Sequence, residues 1–286
     1  MSALVAAKKT AGRIEKKFAE LRARGEAALI PFIVAGDPNL EATRTLVLEL
    51  EARGADLIEL GVPFSDPMAD GPANQRALAR GLASGASLAA ILAMVSELRR
   101  QSQIPIVLFG YYNPILHYGC ERLCADAARA GVDALLAVDL PPEEAAELAR
   151  PARVHGLDII FLLAPTTPVE RVRTIARAGS GFLYYVAVTG VTGARTSLAA
   201  GLETRVRALR TVTDLPIGVG FGISTAAQAG EVAGYADAVV VGSALSLIIE
   251  REGAGPGLAA AVGELVGAMK NAMRAARGFG RATAGG

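Results

Sequence analysis

Eight short, nearly continuous apolar runs punctuate this chain: AALIPFIVAG (27–36), ADLIELGVPF (55–64), IPIVLFGYYN (104–113), VDALLAVDLP (132–141), LDIIFLLAP (157–165), GFLYYVAVTG (181–190), LPIGVGFGIS (215–224) and ADAVVVGSA (236–244). They are rich in Val, Ile, Leu and Ala, the pattern of parallel strands covered on both faces rather than wet on one side. Between them lie longer stretches such as NLEATRTLVLELEARG (39–54) and PEEAAELARPARVHG (142–156), whose apolar residues recur at helical spacing. Several close on glycine, at Gly54, Gly131 and Gly156, as a helix C-terminus should. Eight strand–helix units in succession predict a closed barrel or a large doubly wound sheet. The count of eight, and the lack of an early G-x-G-x-x-G after the first run, favour the barrel. The expected fold class is therefore α/β, a (β/α)8 TIM barrel, as one domain over residues 1–286. The first 25 residues, with the amphipathic KKTAGRIEKKFAELRARG (8–25), predict an extra N-terminal helix capping the barrel bottom.

Composition adds to this picture in a few places. Hydrophobic residues make up 52% of the chain, aromatic residues only 5%, and Trp is absent, so the core is aliphatic. A formal net charge of +1 gives no argument for a nucleic-acid or membrane surface. Lys8, Lys9, Lys16 and Lys17 near the start, and Lys270, Arg274, Arg277 and Arg281 near the end, read as solvated helix faces or tail. Cys120 and Cys124 sit four apart in CERLC, where a disulfide along one helix has poor geometry, so both are expected as reduced thiols. No signal-peptide core or uninterrupted run of membrane-spanning length stands out, and a cytoplasmic enzyme is the expectation.

In such barrels chemistry belongs at the C-terminal ends of the strands and in the loops that follow. Lysine occurs only at positions 8, 9, 16, 17 and 270, none on an expected strand, which removes a Schiff-base aldolase. Histidine occurs only at positions 117 and 155, too few to assemble a zinc-dependent aldolase. What remains are carboxylates, Tyr hydroxyls and glycine turns. Strand alternation puts Leu57 and Glu59 on one face and Ile58 and Leu60 on the other. If the aliphatic face meets the helices, Glu59 points into the barrel, where burial raises its pKa and suits it to proton transfer. Asp66 and Asp70 lie in the Pro/Asp/Gly-dense loop PFSDPMADGP (63–72), where turn formation competes with catalysis as their reason for being there. GFGIS (220–224) and GSA (242–244) follow the last two strands, where phosphate sites on this architecture sit. Gly222 and Gly242 would let backbone approach a ligand, and Ser224 and Ser243 would cap the next helices. TGVTGAR (189–195) could close over the same place, and strand-end Phe32, Leu136, Tyr184 and Phe221 suggest an apolar remainder of the substrate. The residues alone thus describe a metal-free barrel enzyme acting on a phosphorylated small molecule by carboxylate acid–base chemistry.

LIELGVPFSDPMADGP (57–72), followed in order by YYVAVTGVTGAR (184–195) and GFGIS (220–224) and preceded by PFIVAGDP (31–38), resembles the tryptophan synthase α subunit family over essentially the whole chain. The resemblance implies retro-aldol cleavage of indole-3-glycerol phosphate to indole and glyceraldehyde 3-phosphate. It makes Glu59 the acid–base residue, protonating indole C3 and assisting the glycerol hydroxyl, and Asp70 the residue that holds the indole N–H. It implies pocket tyrosines at Tyr111 and Tyr184, indole packing by Phe32, Leu136 and Phe221, and a phosphate cradle at Gly193, Gly222, Gly242 and Ser243. Thr192 would reach Asp70 on lid closure, and Val188 stands where an Arg often occurs in the family. The family also implies a β subunit in an α2β2 heterotetramer, with the SDP loop (65–67) near that interface. Pyridoxal phosphate would belong to the β subunit, and this chain would carry no cofactor. A stand-alone lyase of the same fold, or a non-catalytic phosphate-binding regulatory barrel, are the alternatives.

Overall fold

A computed structural model describes residues 11–187, 201–220 and 222–283. Helix α1 (Arg13–Arg24) precedes strand β1 (Ala28–Val34), and α2 (Leu40–Ala52) leads to β2 (Ile58–Gly61). Then come α3 (Pro72–Ala83), α4 (Leu88–Leu98), β3 (Ile106–Gly110), α5 (Tyr112–Tyr118), α6 (Cys120–Ala130) and β4 (Ala134–Ala137). The second half holds α7 (Ala146–Val154), β5 (Asp158–Ile159), β6 (Phe161–Leu163), α8 (Val169–Ala178), β7 (Leu183–Val186) and α9 (Leu202–Leu209). It ends with β8 (Ile217–Gly220), α10 (Ala226–Ala233), β9 (Ala238–Val241), α11 (Ser243–Glu252) and α12 (Leu258–Thr283).

All strand pairs are parallel, in the order β5-β4-β3-β2-β1-β9-β8-β7-β6. The two ends of that order, β5 and β6, are separated in sequence only by Ile160, so the sheet closes on itself. The run at 157–165, expected as one strand, is interrupted there: β5 pairs with β4, β6 pairs with β7, and the Ile160 N–H still donates to Leu135 at 3.0 Å. One expected strand split into two short pieces is how an eight-unit barrel comes to show nine strands among the described residues.

Alternation along each strand sorts side chains into two cores. Leu29, Ile33, Ile58, Leu60, Ile106, Leu108 and Leu135 pack outward in the cluster shared with the helices. Ala28, Ile30, Phe32, Leu57, Val107, Phe109, Ala134, Leu136 and Tyr184 fill the barrel interior. The helix α1 joins the inner cluster through Ile14, Phe18 and Leu21, and the Phe18 ring lies 5.8 Å from that of Phe182. It therefore plugs the N-terminal end of the barrel, as its amphipathic pattern predicts. Gly54, Gly131 and Gly156 all take positive φ just past α2, α6 and α7.

The bottom face is built for stability. Asp56, Asp133 and Asp237, each just before a strand or one residue removed from it, accept the N–H of Leu29, Ile106 and Ile217 on the neighbouring strands at 2.8, 2.8 and 2.9 Å. Each also pairs with a cation: Lys270 at 2.7 Å, Arg99 at 3.0 Å and Arg210 at 3.0 Å. Lys270 is thereby a correction to the sequence reading. It does not lie on a solvated face; its side chain is 3% exposed, because α12 lays it over the start of β1 and β2. Cys120 and Cys124 are buried free thiols.

Candidate active site

Glu59 is the third residue from the end of β1's neighbour β2, in register with Phe32 on one side and Val107 on the other. It shares the inward parity of Leu57 and is fully buried. Neither carboxylate oxygen has a hydrogen-bond partner among the described residues. Burial alone pushes its pKa up to about 8. The carboxyl therefore keeps its proton at neutral pH, because ionising it in an apolar interior finds no compensating partner among the described residues.

Asp70 sits in the loop between β2 and α3, just before the Gly71–Pro72 start of that helix. Tyr111, immediately after β3, donates its hydroxyl to Asp70 Oδ2 at 2.6 Å and accepts the Ala69 N–H at 3.0 Å. Phe64 packs on the Tyr111 ring with centroids 5.1 Å apart. Asn74 Nδ2 stands 3.5 Å from Asp70 Oδ1, and Gln75 Nε2 holds the Asp70 carbonyl at 2.9 Å. Burial raises the Asp70 pKa, against the lowering influence of the Tyr111 and Asn74 hydrogen bonds. Asp66, by contrast, is exposed and accepts from its neighbour Ser65 at 2.5 Å, which is local turn chemistry.

Tyr184 lies within electrostatic reach of both carboxyl groups. Its phenol is almost fully buried, and its pKa is raised well above the ordinary value by that burial and then by the charges of Glu59 and Asp70. Phe32 and Phe109 meet edge to face at 5.0 Å, Phe109 and Tyr184 lie 6.4 Å apart, and Leu136 is buried in the same interior. The wall around Glu59 is thus aromatic and aliphatic. Phe109 was missed in the sequence, although period-two alternation from Val107 was enough to find it.

The glycine turns lie at the same end of the barrel. A Cβ on Gly242 would sit 3.2 Å from Phe32 Cδ1. Gly222 has φ +80°, a left-handed conformation that favours glycine. The capping expectation needs correction: Thr225, not Ser224, caps α10, in a reciprocal box with Gln228, while the Ser224 N–H goes to Gln228 Oε1 at 2.9 Å. Gly242, not Ser243, is the N-cap of α11, and no side chain among the described residues caps that helix. The first turn of α11 is accordingly open to an anion in a way that of α10 is not. Exposed Ser243 is its first residue. Val188, Thr192, Gly193 and Phe221 lie outside the described residues. A separate surface groove of about 690 Å³ between α6 and α7, lined by residues such as Cys120, Arg122, Glu147 and Arg150, holds none of the strand-end groups.

Residues 18–274 match the family model for the tryptophan synthase alpha chain. The chain belongs to that family. The tryptophan synthase alpha chain of Citrifermentans bemidjiense is 59% identical over 261 residues, covering 91% of this chain and 97% of the relative. Among solved structures, tryptophan synthase subunit alpha from Legionella pneumophila superposes with a TM-score of 0.85 at 40% identity, covering 93% of this chain and all of that one. A chain from the tryptophan synthase a2b2 complex of Pyrococcus furiosus does so at 0.81 and 38% identity, covering 86% of this chain and 98% of its own. Tryptophan synthase alpha chains are carbon–carbon lyases that cleave indole-3-glycerol phosphate in tryptophan biosynthesis, and this chain carries that family's reaction on a (β/α)8 barrel.

Proposed function

We propose that Glu59 and Asp70 divide this cleavage between them. The observation that carries the reading is Glu59: a fully buried carboxyl group with no hydrogen-bond partner among the described residues and a pKa of about 8. A structural carboxylate would be paired, whereas an unpaired one, protonated near neutrality, suits a proton donor. Glu59 gives its proton to indole C3, and the ring becomes a cation centred on N1. Asp70, held by Tyr111, accepts the N1–H and stabilises that charge as it forms. The Glu59 carboxylate, now buried and unsolvated, takes the proton of the adjacent glycerol hydroxyl. The bond from that carbon to C3 breaks, its electron pair restores the aromatic ring, and the hydroxyl carbon becomes the aldehyde of glyceraldehyde 3-phosphate. Glu59 ends the cycle protonated, as it began.

Phe32, Leu136, Tyr184 and, with them, Phe109 would pack the indole. The uncapped first turn of α11, with Gly242 and Ser243, would hold the phosphate together with Gly222. Phe221, Thr192 and Gly193 keep their sequence-based assignments in this proposal. No cofactor is assigned to the chain. A β subunit, in an α2β2 assembly in the cytoplasm, would receive the indole and carry the pyridoxal phosphate. The Pyrococcus furiosus neighbour, a chain of an a2b2 complex, supports that partner.

Indole release from indole-3-glycerol phosphate tests the assignment. Glu59→Gln should abolish it, and Asp70→Asn should lower kcat by roughly 100-fold or more, the scale for losing one transition-state charge stabiliser. Near-normal release by either variant would remove the role given to that residue. Absence of release from the unaltered chain, with ligand bound, would favour the regulatory barrel.

A further inference from the structure

We propose that Asn74 is a positioning residue for Asp70, joining it through Ser246 to the helix that presents the open anion-binding turn. The inference rests on the reading of Asp70 given above and assigns a residue that the resemblance does not. Asn74 lies in the first turn of α3, four residues after Asp70. Its Nδ2 faces Asp70 Oδ1 at 3.5 Å, and its Oδ1 accepts the hydroxyl of Ser246 at 2.9 Å. The orientation of the amide follows from chemistry: turned over, it would set its own oxygen against the carboxylate. Ser246 is 2% exposed and 172 positions away in sequence, so the contact joins two distant elements rather than completing a local turn. It also stands one helical turn beyond Gly242, whose carbonyl accepts the Ser246 N–H at 3.1 Å.

The surroundings hold this bridge still. Arg80 on α3 grips the buried Asp37 at 2.8 and 2.7 Å and reaches Glu250 on α11 at 3.1 Å. Arg76, also on α3, binds Glu250 through two bonds of 2.6 and 2.7 Å. With α3 and α11 clamped, the Asn74 amide has a fixed place from which to restrain Asp70. The carboxylate is then held from two sides, Oδ2 by Tyr111 from the end of β3 and Oδ1 by Asn74 from α3. At 3.5 Å the Asn74 bond is at the long end of hydrogen-bond geometry, and it lowers the Asp70 pKa as well as orienting the carboxylate. Because Asp70 acts on a positive charge that exists only after C3 is protonated, misorienting it should appear in kcat and not in KM.

The test is steady-state indole release by Asn74→Leu, Ser246→Ala, the double variant, and Asn74→Leu in an Asp70→Asn background. Asn74→Leu should lower kcat about tenfold with KM within about twofold, the scale of losing one hydrogen bond to a charged group. Ser246→Ala should lower kcat less, and the double variant should be no worse than Asn74→Leu, since the serine acts through the amide. In the Asp70→Asn background Asn74→Leu should change nothing. Full kcat in Asn74→Leu, or an equal factor lost with and without Asp70, would overturn the proposal. Should Asn74→Leu fail to fold, Ser246→Ala, which removes only a hydroxyl, carries the same comparison across the two backgrounds. If Asp70→Asn itself keeps normal turnover, the reading of Asp70 fails; if Asp70→Asn is impaired and Asn74→Leu is not, only this inference fails.

Discussion

The proton on Glu59 is decided by burial, and that gives a pH dependence with a definite sign. Its pKa rises from 4.5 to about 8 on folding. As the acid form begins the reaction, kcat/KM for indole release should stay level through neutrality and fall above about pH 8. Stability moves the same way. Between the two pKa values the folded chain holds a proton that the unfolded chain has released, so the contribution is intact below pH 4.5 and is lost as pH rises to about 8. The loss is on the order of a few kcal/mol. Glu59→Gln should therefore match the unaltered chain in thermal stability at about pH 4 and exceed it increasingly toward about pH 8. A melting-temperature difference that ignores pH would mean that the carboxyl is solvated. This side chain was legible in the sequence, because alternation with Leu57 fixed its inward face. The partners of Asp70 were not: Tyr111 is 41 positions away, and nothing local in either segment marks the bond.

At the scale of elements, the strand ends are shaped by glycines that leave room for aromatic rings. A Cβ on Gly61 would lie 2.7 Å from Phe32 Cζ, and one on Gly220 would lie 2.5 Å from Tyr184 Cζ. Both distances are well inside van der Waals contact, so β2 and β8 carry glycine where β1 and β7 lean their site residues across them. Gly220→Ala should displace the Tyr184 ring, cost about 1–3 kcal/mol as overpacking does, and lower kcat for indole release. Denaturant unfolding and turnover measured on the same sample would check it, and a variant unchanged in both would show that the ring has another place to go. Gly220 opens GFGIS, and the sequence offered phosphate as the reason for such glycines; the packing reason needs the neighbouring strand. The eight runs were legible because parallel strands buried on both faces are apolar almost throughout. The break at Ile160 was not, since Ile160 is as apolar as its neighbours and hydrophobicity does not record where hydrogen bonding changes partners. Thr225 and Ser224 show the same limit one residue apart: both can cap, and only the Gln228 amide decides between them.

At the scale of the whole molecule, the two faces of the barrel do different work. The bottom is closed by α1 and by the buried Lys270–Asp56 pair, which fastens α12 to the first two strands. Charge content near the C-terminus predicts a solvated Lys270, because its acidic partner is 214 positions away and out of view of any local pattern. Lys270→Met should cost about 3–5 kcal/mol by leaving Asp56 buried without its cation, with KM for cleavage unchanged; a chemical-denaturation loss below about 1 kcal/mol would show the pair to be dispensable. The top face, by contrast, puts its chemistry on a loop that also meets solvent. Met68 is 91% exposed, and the Met68–Asp70 stretch is held to the barrel through Tyr111, which accepts the Ala69 N–H and donates to Asp70. An exposed apolar side chain two residues from a site carboxylate is where a docked β subunit could act on catalysis. Indole release should then rise on titration with β subunit. Met68→Asp should shift the midpoint of that titration by about tenfold or more, as burying an unpaired charge in an interface does, while the rate without β stays within about twofold. An unchanged midpoint would place the docking contact elsewhere on the chain, and a rate unresponsive to β in the unaltered protein would identify a stand-alone lyase, in which the Asp70 loop needs no partner to reach its working position.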